Sequence, residues 1–186
     1  MKKRETQPDT TGTTEKRTYT RLRFPREIRR DRPILVGLAN TMAVMQKKSG
    51  LKKPEYAKKL GISGAAFRML RNCSANPKLD PLFEMSIRLQ IPLCTLCGAE
   101  EVRGRLISTN HALKHMALVI GEMTATVGAT DADKAKFLGI SLLQFYLIRR
   151  LEASPSLLVC EEMAGRLGIS VWELLGVDAN SPLRTD

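Results

Sequence analysis

LGISGAAFRMLRN, residues 60–72, has the frame of a short helix entered through a tight turn. Leu60 is an apolar anchor. Gly61 can take the left-handed backbone conformation that reverses a chain within a few residues, and Ser63 stands where a helix cap belongs. Phe67 and Leu70, three positions apart, share one helical face and are expected to enter a core. The opposite face is Gly64, Ala65, Arg68 and Met69, so the side that would meet solvent or a partner is nearly bare.

The same frame returns further along. Shifted by 78 residues, KKLGISGAAFRMLR at 58–71 lies over KFLGISLLQFYLIR at 136–149, and ANPKLDPLFEMSIRLQIPL at 75–93 lies over ASPSLLVCEEMAGRLGISV at 153–171. From Ala39/Ala117 to Gly98/Gly176 the alignment needs no gap, and 21 of 60 pairs are identical, which marks an internal duplication.

Each copy reads as about five helices. A first amphipathic helix carries Leu35, Leu38, Met42 and Met45 on one face; its counterpart carries Leu113, Met116, Ile120 and Met123. A short second helix opens on Pro54 in one copy and on Asp131, the expected cap, in the other. It turns Ala57 and Leu60, or Ala135 and Leu138, inward. Ser63 and Ser141 cap the third helix, which buries Phe67 and Leu70, or Phe145 and Ile148. Loops through Pro77 and Pro155 lead to a fourth helix with Met85 and Leu89, or Met163 and Leu167. Ser170-Val-Trp-Glu173 is a capping-box pattern for a fifth. The composition agrees: 43% of residues are hydrophobic but only 5% aromatic, and runs of β-branched residues are scarce. The expected fold class is all-α. The expected divisions are a basic, flexible arm (1–33), a first bundle (34–100), a linker (101–112), a second bundle (113–178) and a tail (179–186).

The E-Y-A-K-K-L-G-I-S-x3-F-x2-L-R-x5-P run from Glu55 to Pro77 and the closing L-x2-L-x-G resemble the lambda-repressor/Cro (Xre) helix-turn-helix domain. The resemblance covers roughly residues 35–100 and 113–178. It implies two such bundles in tandem, with the third helix of each lying in a DNA major groove and the second crossing the backbone. It also places Gly64, Ala65 and Met69 of the first copy, and Leu142, Leu143 and Leu147 of the second, at the base-reading positions. None of these six side chains offers the donors or acceptors that discriminate base pairs.

Charge separates the two copies. The net charge is +11, made of +6 in residues 1–33, +7 in residues 34–110 and −2 in residues 111–186. A positive excess confined to the first part suggests a polyanion there, although a solvated lysine surface serves solubility equally well. The first copy surrounds its bare helix with Lys47, Lys48, Lys52, Lys53, Lys58, Lys59, Arg68 and Arg71. The expected DNA contacts are Lys47, Lys48, Lys52, Lys53 and Lys58 on phosphates, together with Ser63, Gly64, Ala65, Arg68 and Met69 on the third helix. Arg68 is the best candidate for a base contact. The segment RLRFPREIRR adds Arg21, Arg23, Arg26, Arg29 and Arg30 as an arm for phosphates or a minor groove. The second copy places LLQFYLI beside Asp131, Asp133 and Glu152, so Leu142, Leu143, Tyr146 and Leu147 are expected in a protein interface. Burial of these residues within the chain is the competing reading.

Cys94-x2-Cys97-x13-His111-x3-His115 has the spacing of a two-Cys, two-His zinc site. Its cysteines, however, align with Trp172 and Leu175, core residues of the other copy. Buried free thiols without a metal are therefore expected. Phosphate-cradling glycine loops and paired carboxylates are missing from the sequence, and only two histidines are present, so no enzyme is expected. No apolar stretch approaches the roughly 20 residues of a membrane span, and MKKRETQPDT lacks the apolar segment of a secretory signal. The sequence thus leads to a cytoplasmic, nucleoid-associated protein that binds double-stranded DNA, a bacterial or mobile-element (plasmid or phage) transcriptional regulator. It would act as a homodimer or with another protein through the second copy. An architectural or DNA-processing accessory protein and a protein–protein adaptor are the alternatives.

Overall fold

The computed structural model describes residues 31–128 and 130–180. Among them the fold is all-α. Helices α1 (Pro33–Lys48), α2 (Lys53–Leu60), α3 (Gly64–Arg71), α4 (Leu79–Leu89) and α5 (Leu93–Leu96) form a first half. A second half follows: α6 (Thr109–Met123), α7 (Asp131–Leu138), α8 (Leu142–Arg149), α9 (Leu157–Leu167) and α10 (Val171–Leu174). From α2 onward each helix has a counterpart beginning 78 residues later, at 53 and 131, 64 and 142, 79 and 157, 93 and 171. The sequence offset is therefore also a structural one. The helix α6 starts at Thr109, four residues before the expected start of the second bundle, because Ser108 accepts from the His111 N–H and caps it.

The turns follow from local chemistry. Gly61 and Gly139 have φ of 77° and 72°, the left-handed conformation that closes α2 and α7 and lets α3 and α8 start three residues later. An arginine from the fourth helix of each half lies over each turn. A Cβ at Gly61 would stand 2.9 Å from the guanidinium carbon of Arg88, and one at Gly139 would stand 2.7 Å from that of Arg166. Arg166 donates to the Phe137 carbonyl at 3.0 Å, satisfying an end group of α7. Ser63 accepts from the Ala66 N–H at 3.1 Å and Ser141 from that of Gln144 at 3.2 Å. The cap of α7 is Thr130 rather than Asp131. Thr130 keeps an extended backbone and exchanges bonds with Asp133, its hydroxyl accepting from the Asp133 N–H at 3.2 Å while Asp133 Oδ2 accepts from the Thr130 N–H at 3.2 Å.

The expected inward residues form one continuous core through both halves. It includes Leu35, Leu38 and Met42 of α1 and Phe67 and Phe145 of the third helices. Met123 is the exception, remaining 38% exposed. The inner stripe of α6 runs instead through Val119 to buried Thr124, whose hydroxyl donates to the Ile120 carbonyl at 2.6 Å. The close of each half also differs. A Cβ at Gly37 would stand only 1.9 Å from the Cys97 carbonyl, so α1 and α5 touch through backbone. The equivalent residue on α6 is His115, a buried ring whose Nε2 lies 3.0 Å from the Glu173 carbonyl. The wider gap in the second half is thus filled by a polar ring with a partner.

The halves meet through the loops before α4 and α9. Lys78 and Ser156, which are 78 residues apart, form an antiparallel bridge. The Leu79 N–H donates to the Pro155 carbonyl at 3.0 Å, and the Leu157 N–H to the Pro77 carbonyl at 2.9 Å. Outside this pair, the Asp80 N–H donates to Ser154 Oγ at 3.0 Å and the Leu158 N–H to Asn76 Oδ1 at 3.2 Å. Each of these four bonds has a mate shifted by 78 residues in both partners. This is the signature of a two-fold contact built inside one chain. A second tie joins the linker to the segment after α10: Gly104 bridges Asp178, and the Arg105 N–H donates to the Val177 carbonyl at 2.8 Å.

Substituting Asn76→Ala, which removes its bond to Leu158 and another at 2.8 Å to Ser156 Oγ, should cost about 1–2 kcal/mol in urea unfolding. Gly37→Ala should cost at least about 1–3 kcal/mol through overpacking. In contrast, Gly64→Ala, whose Cβ would meet nothing within 4 Å, should be neutral or stabilise by up to about 1 kcal/mol. Equal effects at Gly37 and Gly64 would contradict the placement of these two glycines.

Candidate functional site

The outer face of α2 and α3 carries exposed cations above an apolar floor. Tyr56 and Phe67 pack edge to face, their centroids 5.7 Å apart, and hold the two helices together from beneath. Above them, Lys53, Pro54, Gly64, Ala65 and Arg68 line one shallow open depression. Lys53, Gly64, Ala65 and Arg68, expected at the site from the sequence, are therefore neighbours, drawn from the first turn of α2 and from both turns of α3. Lys52 and Lys58 are exposed on the same helix pair; Lys47 and Lys48 are exposed at the end of α1, one loop earlier. Ser63 is engaged as a cap, and Met69 is exposed beside Arg68. Arg21, Arg23, Arg26, Arg29 and Arg30 lie outside the described residues.

The second half puts different chemistry on the same frame. Position for position, Lys53 becomes Asp131, Lys59 becomes Phe137, Gly64 becomes Leu142, Ala65 becomes Leu143 and Arg68 becomes Tyr146. Arg71 and Arg149 are equivalent and sit alike, each with its guanidinium over the preceding phenylalanine ring, at 6.0 Å from Phe67 and 5.6 Å from Phe145. Arg149 is paired with Asp131 at 3.3 Å, whereas the residue equivalent to Asp131 in the first half is Lys53, a cation that cannot pair with Arg71. Among the described residues, none of Lys52, Lys53, Lys58, Lys59, Arg68 and Arg71 takes part in an ion pair. Among the described residues the first half thus gives these cations no ion-pair partner, whereas in the second half Asp131 pairs with Arg149. Arg71 was not among the site residues read from the sequence. Aligning Lys53 with Asp131 at the 78-residue offset is the signal that finds it.

Phe145 and Ile148 of α8 enter the core, but its other apolar residues do not. Leu142, Leu143 and Tyr146 are 40%, 66% and 40% exposed and Leu147 is partly buried; Phe137 of α7 is exposed as well.

The zinc-like spacing is not assembled into a site. Cys94 and Cys97 are buried in and just after α5, where burial pushes both thiols above their ordinary range. The Cys94 thiol faces the Val102 carbonyl, His111 Nδ1 is 2.7 Å from Ser108 Oγ, and His115 meets the Glu173 carbonyl. Among the described residues no group of three or more His, Cys, Asp or Glu side chains is gathered as a metal site requires. All four cysteines are free thiols. Among the described residues, too, no helix is long and apolar enough to cross a membrane. No family model, curated protein or solved structure matches the chain.

Proposed function

We propose that the chain binds double-stranded DNA through the α2–α3 face of its first half, assisted by the basic segment that precedes α1, and acts as a bacterial or mobile-element transcriptional regulator. The carrying observation is that Lys53 and Arg68 line one depression on the α2–α3 face, whereas Lys53's equivalent in the second half, Asp131, is paired internally with Arg149. A run of phosphates supplies the missing counter-charges at regular spacing. On the resemblance to the lambda-repressor/Cro (Xre) domain, each half is a helix-turn-helix bundle, and α3 enters the major groove with α2 against the backbone. Gly64 and Ala65 then serve by their smallness, letting the N-terminal turn of α3 approach the duplex. Its free N–H groups and partial positive charge favour a phosphate there. Arg68 is the side chain on this face able to reach a base edge with donors.

The second half fits a different role. An apolar helix flanked by Asp131, Asp133 and Glu152 would lose hydration and meet like charge in a groove. Its role is either pseudo-dimer packing against the first half or, through the exposed face of α8, contact with a protein, a second copy or another partner. The bareness of α3 favours one further reading, an accessory protein that holds backbone and shape without reading bases.

Duplex affinity of the full-length chain should fall steeply with salt, and joint replacement of Lys52, Lys53 and Arg68 by Ala should flatten the log–log slope by up to about 2.7. An unchanged slope would remove the α2–α3 face from the contact. Selection from random duplexes near physiological salt separates the two DNA readings. An enriched motif supports the regulator, and a flat pool supports the holder of backbone and shape. For α8, Leu142→Glu with Leu143→Glu should lower the solution mass in light scattering if a second copy covers that face. A mass already monomeric in the parent chain would rule out the homodimer.

A further inference from the structure

Resting on the DNA reading above, we infer that one chain is its own pseudo-dimer on DNA and takes an asymmetric site, spanning two half-site positions of the duplex but gripping only one. The bonds between the halves carry the first part. Lys78 pairs with Ser156, its own counterpart, and the flanking bonds fall into mated pairs: Leu79 to Pro155 with Leu157 to Pro77, and Asp80 to Ser154 with Leu158 to Asn76. Contact of residue i with j+78, mated to contact of j with i+78, requires a local two-fold axis beside the bridge. The α3 helix ends at Arg71 and α8 at Arg149, each a few residues before its strand of that contact, so the two helices flank the axis. Proteins that place two such helices on DNA ordinarily obtain the pair from two chains. Here the loop surface that pairs the halves is already filled from within, and a second copy is not needed to provide the second helix.

The second part comes from how the two helices diverged. A Cβ at Gly64 meets nothing within 4 Å, whereas Leu142 projects a full side chain from the equivalent place, and Leu143, 66% exposed, does the same next to it. Tyr146 replaces Arg68, and Asp131 replaces Lys53 while binding Arg149. The bulk holds the α8 turn away from a groove, and the charge changes remove two cations and occupy a third. Contacts along the duplex are therefore dense over the α3 position and sparse over the α8 position. A site with one strong half, rather than a palindrome, follows.

The test uses the full-length chain on a duplex of about 30 base pairs, long enough for two half-sites a helical turn apart, carrying the sequence recovered by selection. Sedimentation equilibrium should give one chain for each duplex, and hydroxyl-radical footprinting should give protection concentrated to one side of the site. Two chains on one duplex with protection symmetric about a centre would overturn the inference while leaving DNA binding intact. Absence of duplex binding would overturn the DNA reading and this inference with it. A gain-of-contact variant provides a second measurement. With Asp131→Lys, Leu142→Gly, Leu143→Ala and Tyr146→Arg together, and helicity checked by circular dichroism, affinity for a duplex bearing two facing copies of the strong half should rise at least tenfold. The salt slope should steepen by about two units. If that variant is folded and gains nothing, α8 does not stand over a second half-site and the inference fails.

Discussion

The bridge between Lys78 and its own counterpart Ser156 is the constraint that arranges the rest. Each half has only about sixty residues in its helices and turns, near the lower limit at which a single core is stable alone. Joined through mated backbone bonds, the halves share one core, and α3 and α8 become fixed relative to each other. Asn76 closes the contact from one side with two bonds, and Ser154 closes it from the other with one. The contact is therefore two-fold in its backbone and only approximately so in its side chains. The same departure from symmetry, larger in degree, separates α3 from α8.

That departure is electrostatic before it is anything else. On one frame, with arginines held alike over Phe67 and Phe145, one half carries Lys53 and the other Asp131. A surface ion pair such as Arg149–Asp131 contributes little to stability. Its consequence is that Arg149 already has an anionic partner, whereas Arg71 has none among the described residues. The proposed division of labour, with DNA on the first half and protein contact on the second, rests on this difference and on the exposure of Leu142, Leu143 and Tyr146.

Much of the fold was legible because a duplicated sequence states its constraints twice. The third-helix start at Ser63 and Ser141 and the turn glycines were readable from residue type alone, since few other residues satisfy those geometries. Three details were not. Thr130 caps α7 because its hydroxyl and Asp133 form a closed box, and Asp131 next to it looks equally suitable on paper. Met123 follows the helical stripe, but α6 ends there and Thr124 takes the inner place. The contact of α1 with α5 at Gly37, matched by His115 on the other side, depends on an approach distance that no spacing reveals. For the site, the cations were visible as a cluster in sequence. The Arg149–Asp131 pair that makes the cluster meaningful joins residues 18 apart and appears only in three dimensions.

The most direct test of the central claim, that the first half holds the duplex, is a titration of the isotope-labelled full-length chain with duplex DNA followed by amide resonances. Shifts gathered in Lys52–Arg71, with the equivalent span from Thr130 to Arg149 largely still, are the predicted result. Shifts gathered instead in the span from Thr130 to Arg149, or no shifts at low salt, would contradict it.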